Sequence, residues 1–552
     1  MQENLPWLKN YADVKYHLEY PECTISQAVL KNADKFPNKA ALSFFSKNIS
    51  YEELKRKIFT VAAAFKRIGI SENDKVLLCM PNMPQNVYCL YALNLIGAVA
   101  CLIHPLSAEG EIDFYINKTQ CKCAVVLDDF EYKFKDKKVD IIITTSIEDE
   151  LLLYKAIAYK FSKKSKKKEK NIKFKDFIKN VRFNEKDIVN RKKEDIAAVL
   201  FSGGTTGKTK GILLSNLNFN ALAIQTQEMC RYPVQSKSML AVIPMFHGFG
   251  LGVCVHTMLL NGGKSILVPR FNVKSFAQLL KKEKPDYIAG VPSLYKAVID
   301  SKYMKNIDLS CLLGVFSGGD SLSENLKEKI DSFLINHGSR VKVREGYGTT
   351  ECFSASCLTP YHMEKKGSIG LPYPDTYYKI CKPQTTQDLG LEKEGEICIS
   401  GPTVMKEYLN NKEETENALK KHDDGRVWFH TGDLGVIDND GFIYFKQRIK
   451  RIIVSRGYNI YPSQLEFVLN SHEKVSESCV VGVYDPYKIQ KVKAYVVLKN
   501  DSENKEKIIE SLKEHCVKNI AKYALPYKIE IIKELPKTLL GKTDYRKLEK
   551  EE

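Results

Sequence analysis

The sequence has no Cys-x-x-Cys pair: its fifteen cysteines are scattered, and only Cys121 and Cys123 come near one another. An odd count with that spacing excludes a disulfide framework and argues against structural zinc, leaving reduced thiols. The opening residues Met1-Gln2-Glu3-Asn4-Leu5-Pro6 lack a basic patch followed by an apolar stretch, so the expectation is a chain that stays in the cytoplasm. An unbroken apolar run of membrane length is missing as well. Met239–Leu260 comes closest, but Pro244, His247, Gly248, Gly250 and Gly252 interrupt it, and the reading is strand, loop, then helix. Internal repeats and long low-complexity tracts are also absent. What is present is 552 residues, 44% hydrophobic and 27% charged. That composition is ordinary for a soluble globular protein, and the length is ample for several folding units.

The net charge of +17 invites a nucleic-acid reading, but its distribution matters more than its size. From Lys155 to Lys170 there are eight lysines against one acid, Glu169, so much of the excess is local. The run lacks the interleaved aromatics and arginines of a base-reading surface, which argues against nucleic acid. Tyr154, Ile157, Tyr159 and Phe161 at its start suit a membrane surface better. A solvated insertion is the plainer reading, and attachment to anionic lipid is the functional alternative.

Short apolar runs alternate with amphipathic stretches. Val76-Leu77-Leu78-Cys79, Cys123–Leu127, Ala197–Leu200 and Ser265–Val268 are each candidates for a buried strand. The alternation implies an α/β fold of layered sheets. A turn at Asp438-Asn439-Asp440-Gly441 leads through Phe442-Ile443-Tyr444-Phe445 into the basic stretch Lys446–Arg451. The remainder has the size of a compact α+β unit, which places two domains at 1–446 and 447–552.

The sharpest local feature is Phe201-Ser202-Gly203-Gly204-Thr205-Thr206-Gly207-Lys208-Thr209-Lys210-Gly211. Glycines let backbone N–H groups converge on an anion, threonine hydroxyls add donors and lysine adds charge, a combination suited to a polyphosphate. It is not a Walker A loop, because Ser202 stands where that motif requires its first glycine. Gly211-Ile212-Leu213-Leu214 also reads as a strand rather than a helix, so the element is strand, loop, strand.

The loop resembles the Thr-Ser-Gly-Thr-Thr-Gly-x-Pro-Lys-Gly signature of the acyl-adenylate-forming, AMP-binding enzymes: acyl- and aryl-CoA synthetases, luciferases and adenylation domains. Three further motifs of that family follow in its order. They are Tyr347-Gly348-Thr349-Thr350-Glu351, then Trp428-Phe429-His430-Thr431-Gly432-Asp433-Leu434-Gly435, then Pro536-Lys537-Thr538-Leu539-Leu540-Gly541-Lys542. The resemblance implies a large N-terminal domain of layered α/β sheets with a β-barrel-like subdomain, and a small mobile C-terminal domain hinged near Lys450.

It also implies roles, each with a plainer alternative. Ser202, Gly203, Gly204, Thr205, Thr206, Gly207 and Lys210 would cradle the phosphates of ATP. Gly318 and Gly319, in Ser317-Gly318-Gly319-Asp320, would let adenine approach the backbone; alone they are a loop. Tyr347, followed by Gly348 and Thr349, would stack on the base, although a lone Tyr beside Gly is more often core. Thr350 and Glu351 would hold Mg²⁺ against phosphate, since a hard cation wants oxygen ligands; the alternative is a helix-cap pair. Asp433 offers two acceptors to a ribose diol, with Arg448 as a second contact. Lys542 would stabilise the charge of the pentavalent transition state, whereas composition alone makes it a solvated lysine.

Two half-reactions are implied: a carboxylic acid and ATP give acyl-AMP and pyrophosphate, then coenzyme A displaces AMP. Gly457 would belong to the coenzyme A side of the small domain. Leu5-Pro6-Trp7-Leu8-Lys9-Asn10-Tyr11 and Ile49-Ser50-Tyr51-Glu52-Glu53-Leu54 look like long-chain fatty-acid–CoA ligases. In Pro244-Met245-Phe246-His247-Gly248-Phe249-Gly250, His247, Gly248 and Gly250 would border an acyl site, the glycines leaving room for the chain. Gly203 departs from the family's Ser, Thr209 from its Pro, and Arg451 from the Asp of many relatives. An acyl-AMP ligase loading a carrier protein, an aryl-CoA ligase and a non-catalytic basic lipid-binding adaptor are the competing readings. Intact Lys542, Glu351 and Asp433 argue against the last.

Overall fold

The computed structural model describes residues 5–152, 171–203, 209–231, 233–455, 458–485, 489–500, 504–520, 522–538 and 542–550. The chain divides into two compact units. The first is Met1–Tyr378 with Ile399–Phe429 and Asn439–Ile443, and the second is Lys379–Cys398 with His430–Asp438 and Tyr444–Glu552.

Two large sheets build the first unit. One has nine strands in the order Leu371–Pro372, Cys357–Leu358, Val343–Tyr347, Gly314–Ser317, Tyr287–Gly290, Ser238–Ala241, Lys264–Leu267, Ala40–Phe44 and Lys47–Ser50. From Val343–Tyr347 to Ala40–Phe44 every pairing is parallel, so six carboxyl ends share one edge, where open α/β sheets bind ligands. The other sheet has eight strands: Glu407–Tyr408, Thr209–Ser215, Ile196–Gly203, Val99–Leu102, Lys75–Cys79, Cys123–Leu127, Ile141–Thr145 and Ile172–Lys173. The four apolar runs picked out in the sequence all lie in these strands, with Val268 just past the end of the last. Helix Pro84–Leu95 is buried along its whole length because it is apolar nearly all round. Some of its polar groups are paired: Asn94 Nδ2 donates to Asn216 Oδ1 (2.8 Å) and Gln85 Nε2 to Ser146 O (3.0 Å).

Met239–Leu260 opens as the strand Ser238–Ala241, passes through a loop and then winds into a helix. The helix is not α throughout, since Phe249–His256 forms a π-helix that runs into the α-turn Thr257–Leu260. Within it His256 is fully buried between Tyr91 OH (3.0 Å) and Asn220 Oδ1 (3.1 Å). Burial pushes that imidazole down to about 3, so it is a neutral core residue.

A five-stranded sheet of Tyr377–Cys381, Gly395–Ser400, Val427–Ile437 and Leu419–Lys421, with Ile443–Arg448 paired to Val427–Ile437, supplies a further all-β portion. Beyond it the second unit is α+β. Strands Tyr458–Ile460, Ile453–Ser455, Ile489–Leu498 and Val475–Asp485 lie in that order, and Lys528–Ile531 joins Ile489–Leu498 in parallel. Helices Pro462–Ser471 and Lys505–Asn519 pack on it through Leu465, Leu469, Ile508 and Leu512.

Candidate active site

Two neighbouring strand ends place the adenine-type residues side by side. Gly314–Ser317 and Val343–Tyr347 run in parallel with Ser317 opposite Glu345, so Gly318-Gly319 and Tyr347-Gly348 leave the sheet at the same edge. A Cβ on Gly318 would stand 3.1 Å from Gly346 O, and one on Gly348 would stand 1.2 Å from Ser354 O. Gly318 lets its turn approach the neighbouring strand end, and Gly348 lets the chain pack on the segment at Ser354. Gly319 has φ +81°, the left-handed region that glycine enters without strain. The buried Ser317 hydroxyl finds no hydrogen-bond partner among the described residues. Glu345, one pair further in, has its carboxyl raised to about 7 by burial.

The glycine-threonine loop closes an antiparallel hairpin. Strands Ile196–Gly203 and Thr209–Ser215 pair with Ser202 opposite Lys210 and Gly203 opposite Thr209. A strand, rather than a helix, therefore follows the glycine-threonine stretch. Gly204, Thr205, Thr206 and Gly207 fall outside the described residues. Lys210 Nζ lies 2.5 Å from Glu414 Oε2 and 4.5 Å from the centre of the Tyr408 ring. Tyr408 O–H in turn donates to Glu351 Oε1 at 2.9 Å. Burial, and next the Glu351 charge, raise the Tyr408 hydroxyl well above the phenol range. Met405 N donates to Glu351 O (2.6 Å), and Thr350–Cys352 forms a 3-10 turn closed by Phe353 at φ +47°. The structure thus brings Lys210 and Glu351, 141 positions apart in the chain, onto one tyrosine. Tyr408 and Glu414 carry no signal in the sequence, because a Tyr and a Glu in a polar stretch read as surface.

His247 sits in a tight turn: its N–H donates to Pro244 O (3.0 Å) and its Nδ1 accepts from Phe249 N (3.4 Å). Gly248 has only ordinary contacts, at 3.5 Å to Phe353 and Ser354. Gly250 differs from the sequence expectation, because the space its Cβ would take is filled by the carbonyl oxygens of Ile243 and Pro244, each at 2.3 Å. Close backbone packing, rather than room for a chain, accounts for that glycine.

In the second unit, Asp433 is fully buried and its Oδ1 lies 2.8 Å from Arg448 Nε. The turn before it is held from below. Gly432 N donates to Glu396 Oε1 (3.0 Å), Asp433 N donates to Thr431 Oγ1 (3.0 Å), and the Thr431 hydroxyl donates to Ile397 O (2.7 Å). His430 Nδ1 lies 2.9 Å from Glu396 Oε2 and 3.5 Å from Cys398 Sγ. Glu396 and Cys398, which meet the motif's own His430, are partners the motif does not reveal, since they act on its underside. Their mutual hydrogen bonds account for their closeness.

Lys450 lies in the 3-10 turn Ile449–Arg451. Next to it Arg451, at the position where many relatives have Asp, has partners of its own: Glu466 Oε1 at 2.5 Å and the Tyr545 ring at 4.8 Å. At the other end of this unit Thr538 N donates to Lys542 O (2.7 Å) and Lys542 N to Thr538 Oγ1 (3.2 Å). The backbone of Lys542 is thereby fixed beside the antiparallel bridge of Lys537 with Thr543. Gly457 lies outside the described residues.

A model of the AMP-binding enzyme family matches residues 29–409, and one of the AMP-binding enzyme C-terminal domain matches 464–542. The long-chain-fatty-acid–CoA ligase of Bacillus subtilis is 33% identical over 573 aligned positions, covering 100% of this chain and 99% of the relative. A Dictyostelium discoideum protein named "Probable 4-coumarate--CoA ligase 1" is 30% identical, with 90% of each chain covered. Among solved structures, ATP-bound MatB from Rhodopseudomonas palustris superposes with a TM-score of 0.82 at 23% identity, over 95% of this chain and 98% of that one, a likeness of fold. With both family models matched and a relative aligned from end to end, the chain belongs to the AMP-binding enzyme family.

Proposed function

We propose that the protein is a fatty-acid–CoA ligase: it activates a medium- to long-chain fatty acid with ATP to acyl-AMP and pyrophosphate, then transfers the acyl group to coenzyme A. The observation that carries this reading is the end-to-end match to a long-chain-fatty-acid–CoA ligase. The chemistry needs few groups. In the first step a carboxylate oxygen attacks the α-phosphorus and pyrophosphate leaves, which crowds negative charge that Lys542 and Lys210 offset. Gly318, Gly319 and Tyr347 receive the adenine, and Asp433 with Arg448 the ribose. Glu351 and Thr350 make an all-oxygen donor set that fits Mg²⁺, which when bound supplies charge to the phosphates. In the second step the thiolate of coenzyme A attacks the acyl carbon and AMP leaves. Rotation of the small domain about Lys450, presenting the Gly457 side, separates the two steps.

The 4-coumarate relative favours an aryl acid as the second reading. A panel of fatty and aryl acids, read as pyrophosphate release with and without coenzyme A, decides between them. Turnover confined to aryl acids, or acyl-AMP that no free thiol consumes, overturns the fatty-acid–CoA reading. Among the described residues no helix is long and apolar enough to cross a membrane. Lys155–Lys170 lies outside those residues. Cytoplasmic residence, with attachment of that run to an anionic membrane surface, belongs to the same reading and is measured as salt-sensitive sedimentation with anionic vesicles.

A further inference from the structure

Lys210, the only loop cation among the described residues, already has an anion. Its ammonium lies 2.5 Å from Glu414 Oε2, with side chains 12% and 34% exposed, so water screens the pair only in part. Glu414 is set there by its own neighbourhood. Asn411 caps helix Lys412–Ala418, its Oδ1 accepting from Glu414 N (3.3 Å), and Thr415 Oγ1 accepts from Tyr408 N (3.0 Å). The carboxylate, the lysine and the tyrosine that leads to Glu351 are thus held as one piece. The adjacent Glu413 lies in the same first turn but is exposed.

The N–H that Lys210 gives to Glu414 is not available to a phosphate oxygen, and the carboxylate's charge opposes a second anion on the same ammonium. We infer that Glu414 is an internal competitor for the polyphosphate. It occupies Lys210 in the empty enzyme, surrenders it when ATP or pyrophosphate arrives, and takes it back as pyrophosphate leaves. The inference rests on the reading of Lys210 as a phosphate ligand given under Proposed function. Its consequence is a deliberately loose grip on pyrophosphate, which favours the forward reaction because that product departs more readily.

The test is the affinity of the full-length protein for inorganic pyrophosphate, measured by titration calorimetry with Mg²⁺ present. Glu414→Gln should bind pyrophosphate roughly two- to tenfold more tightly than the unaltered protein. Glu414→Ala, which lacks the amide as well, should move in the same direction. Glu413→Gln removes an equal charge one residue away and should change affinity far less. In a Lys210→Met background, Glu414→Gln should have no effect, since there is no ammonium left to release. Equal or weaker binding by Glu414→Gln overturns the inference, as does an equal gain from Glu413→Gln or a gain that survives without Lys210. ATP–pyrophosphate exchange by the unaltered protein separates this from the wider reading. Exchange with no effect of Glu414 removes the competitor alone, whereas no exchange and no pyrophosphate binding remove both.

Discussion

Glu345 is a carboxyl of the site that burial holds up. It is one pair in from Gly318 on the strand that ends at Tyr347, its Oε1 accepts from Leu322 N at 3.3 Å, and burial raises its carboxyl to about 7 against 4.5 in an open chain. The sign follows from linkage: between those values the folded protein holds a proton that the unfolded chain has lost, so stability falls as pH rises through the interval. Above it the buried charge costs roughly 1–3 kcal/mol. Glu345→Gln should therefore raise the melting midpoint relative to the unaltered protein near pH 8 and leave it almost unchanged below about pH 4.5. A midpoint difference that does not vary with pH would mean the carboxyl is not buried in this way. Tyr408 belongs to the same scale. It was invisible in the sequence because its meaning lies in two contacts, Lys210 and Glu351, that come from distant parts of the chain.

Among the elements, the π-helix Phe249–His256 shows how one residue type serves a purpose other than the one its motif suggests. Its wide turns begin where the chain doubles back on Ile243 and Pro244, and only a residue without Cβ passes between their carbonyls. Gly250→Ala should push the helix start off that loop, costing roughly 2 kcal/mol or more and lowering the melting midpoint. If Gly250→Ala melts like the unaltered protein while activity on long chains falls, the glycine serves the acyl site after all. The hairpin Ile196–Ser215 behaved as its sequence indicated, since a β-branched and apolar run after Gly211 does not start a helix.

On the scale of the whole molecule, the residues assigned to the two half-reactions divide between two units, Tyr347 and Glu351 in one, Asp433, Lys450 and Lys542 in the other. A lysine that acts only on charge at the α-phosphate should matter to one half-reaction. Lys542→Ala should lower acyl-AMP formation roughly 100-fold or more and leave thioester formation from supplied acyl-AMP nearly intact. Lys450→Pro fixes φ at the hinge and should do the opposite, accumulating acyl-AMP in the presence of coenzyme A. Timing each half-reaction separately checks both. Equal loss in both steps from either substitution removes the division of labour.

The sequence by itself determined the α/β class, the hairpin around the glycine-threonine loop and the identity of the four motifs. These are local matters: hydrophobic period, turn residues and short spacings are all set within a few residues. It also singled out the motif residues proposed to face a ligand. Only the tertiary structure decided what stands behind those residues. The pairing of Lys210 with Glu414, the tyrosine joining Lys210 to Glu351, the Glu396–His430 support under Asp433 and the packing that claims Gly250 depend on strands brought together from far along the chain. Such partners have no fixed spacing, and a buried hydrogen bond asks only for the right atom at the right distance.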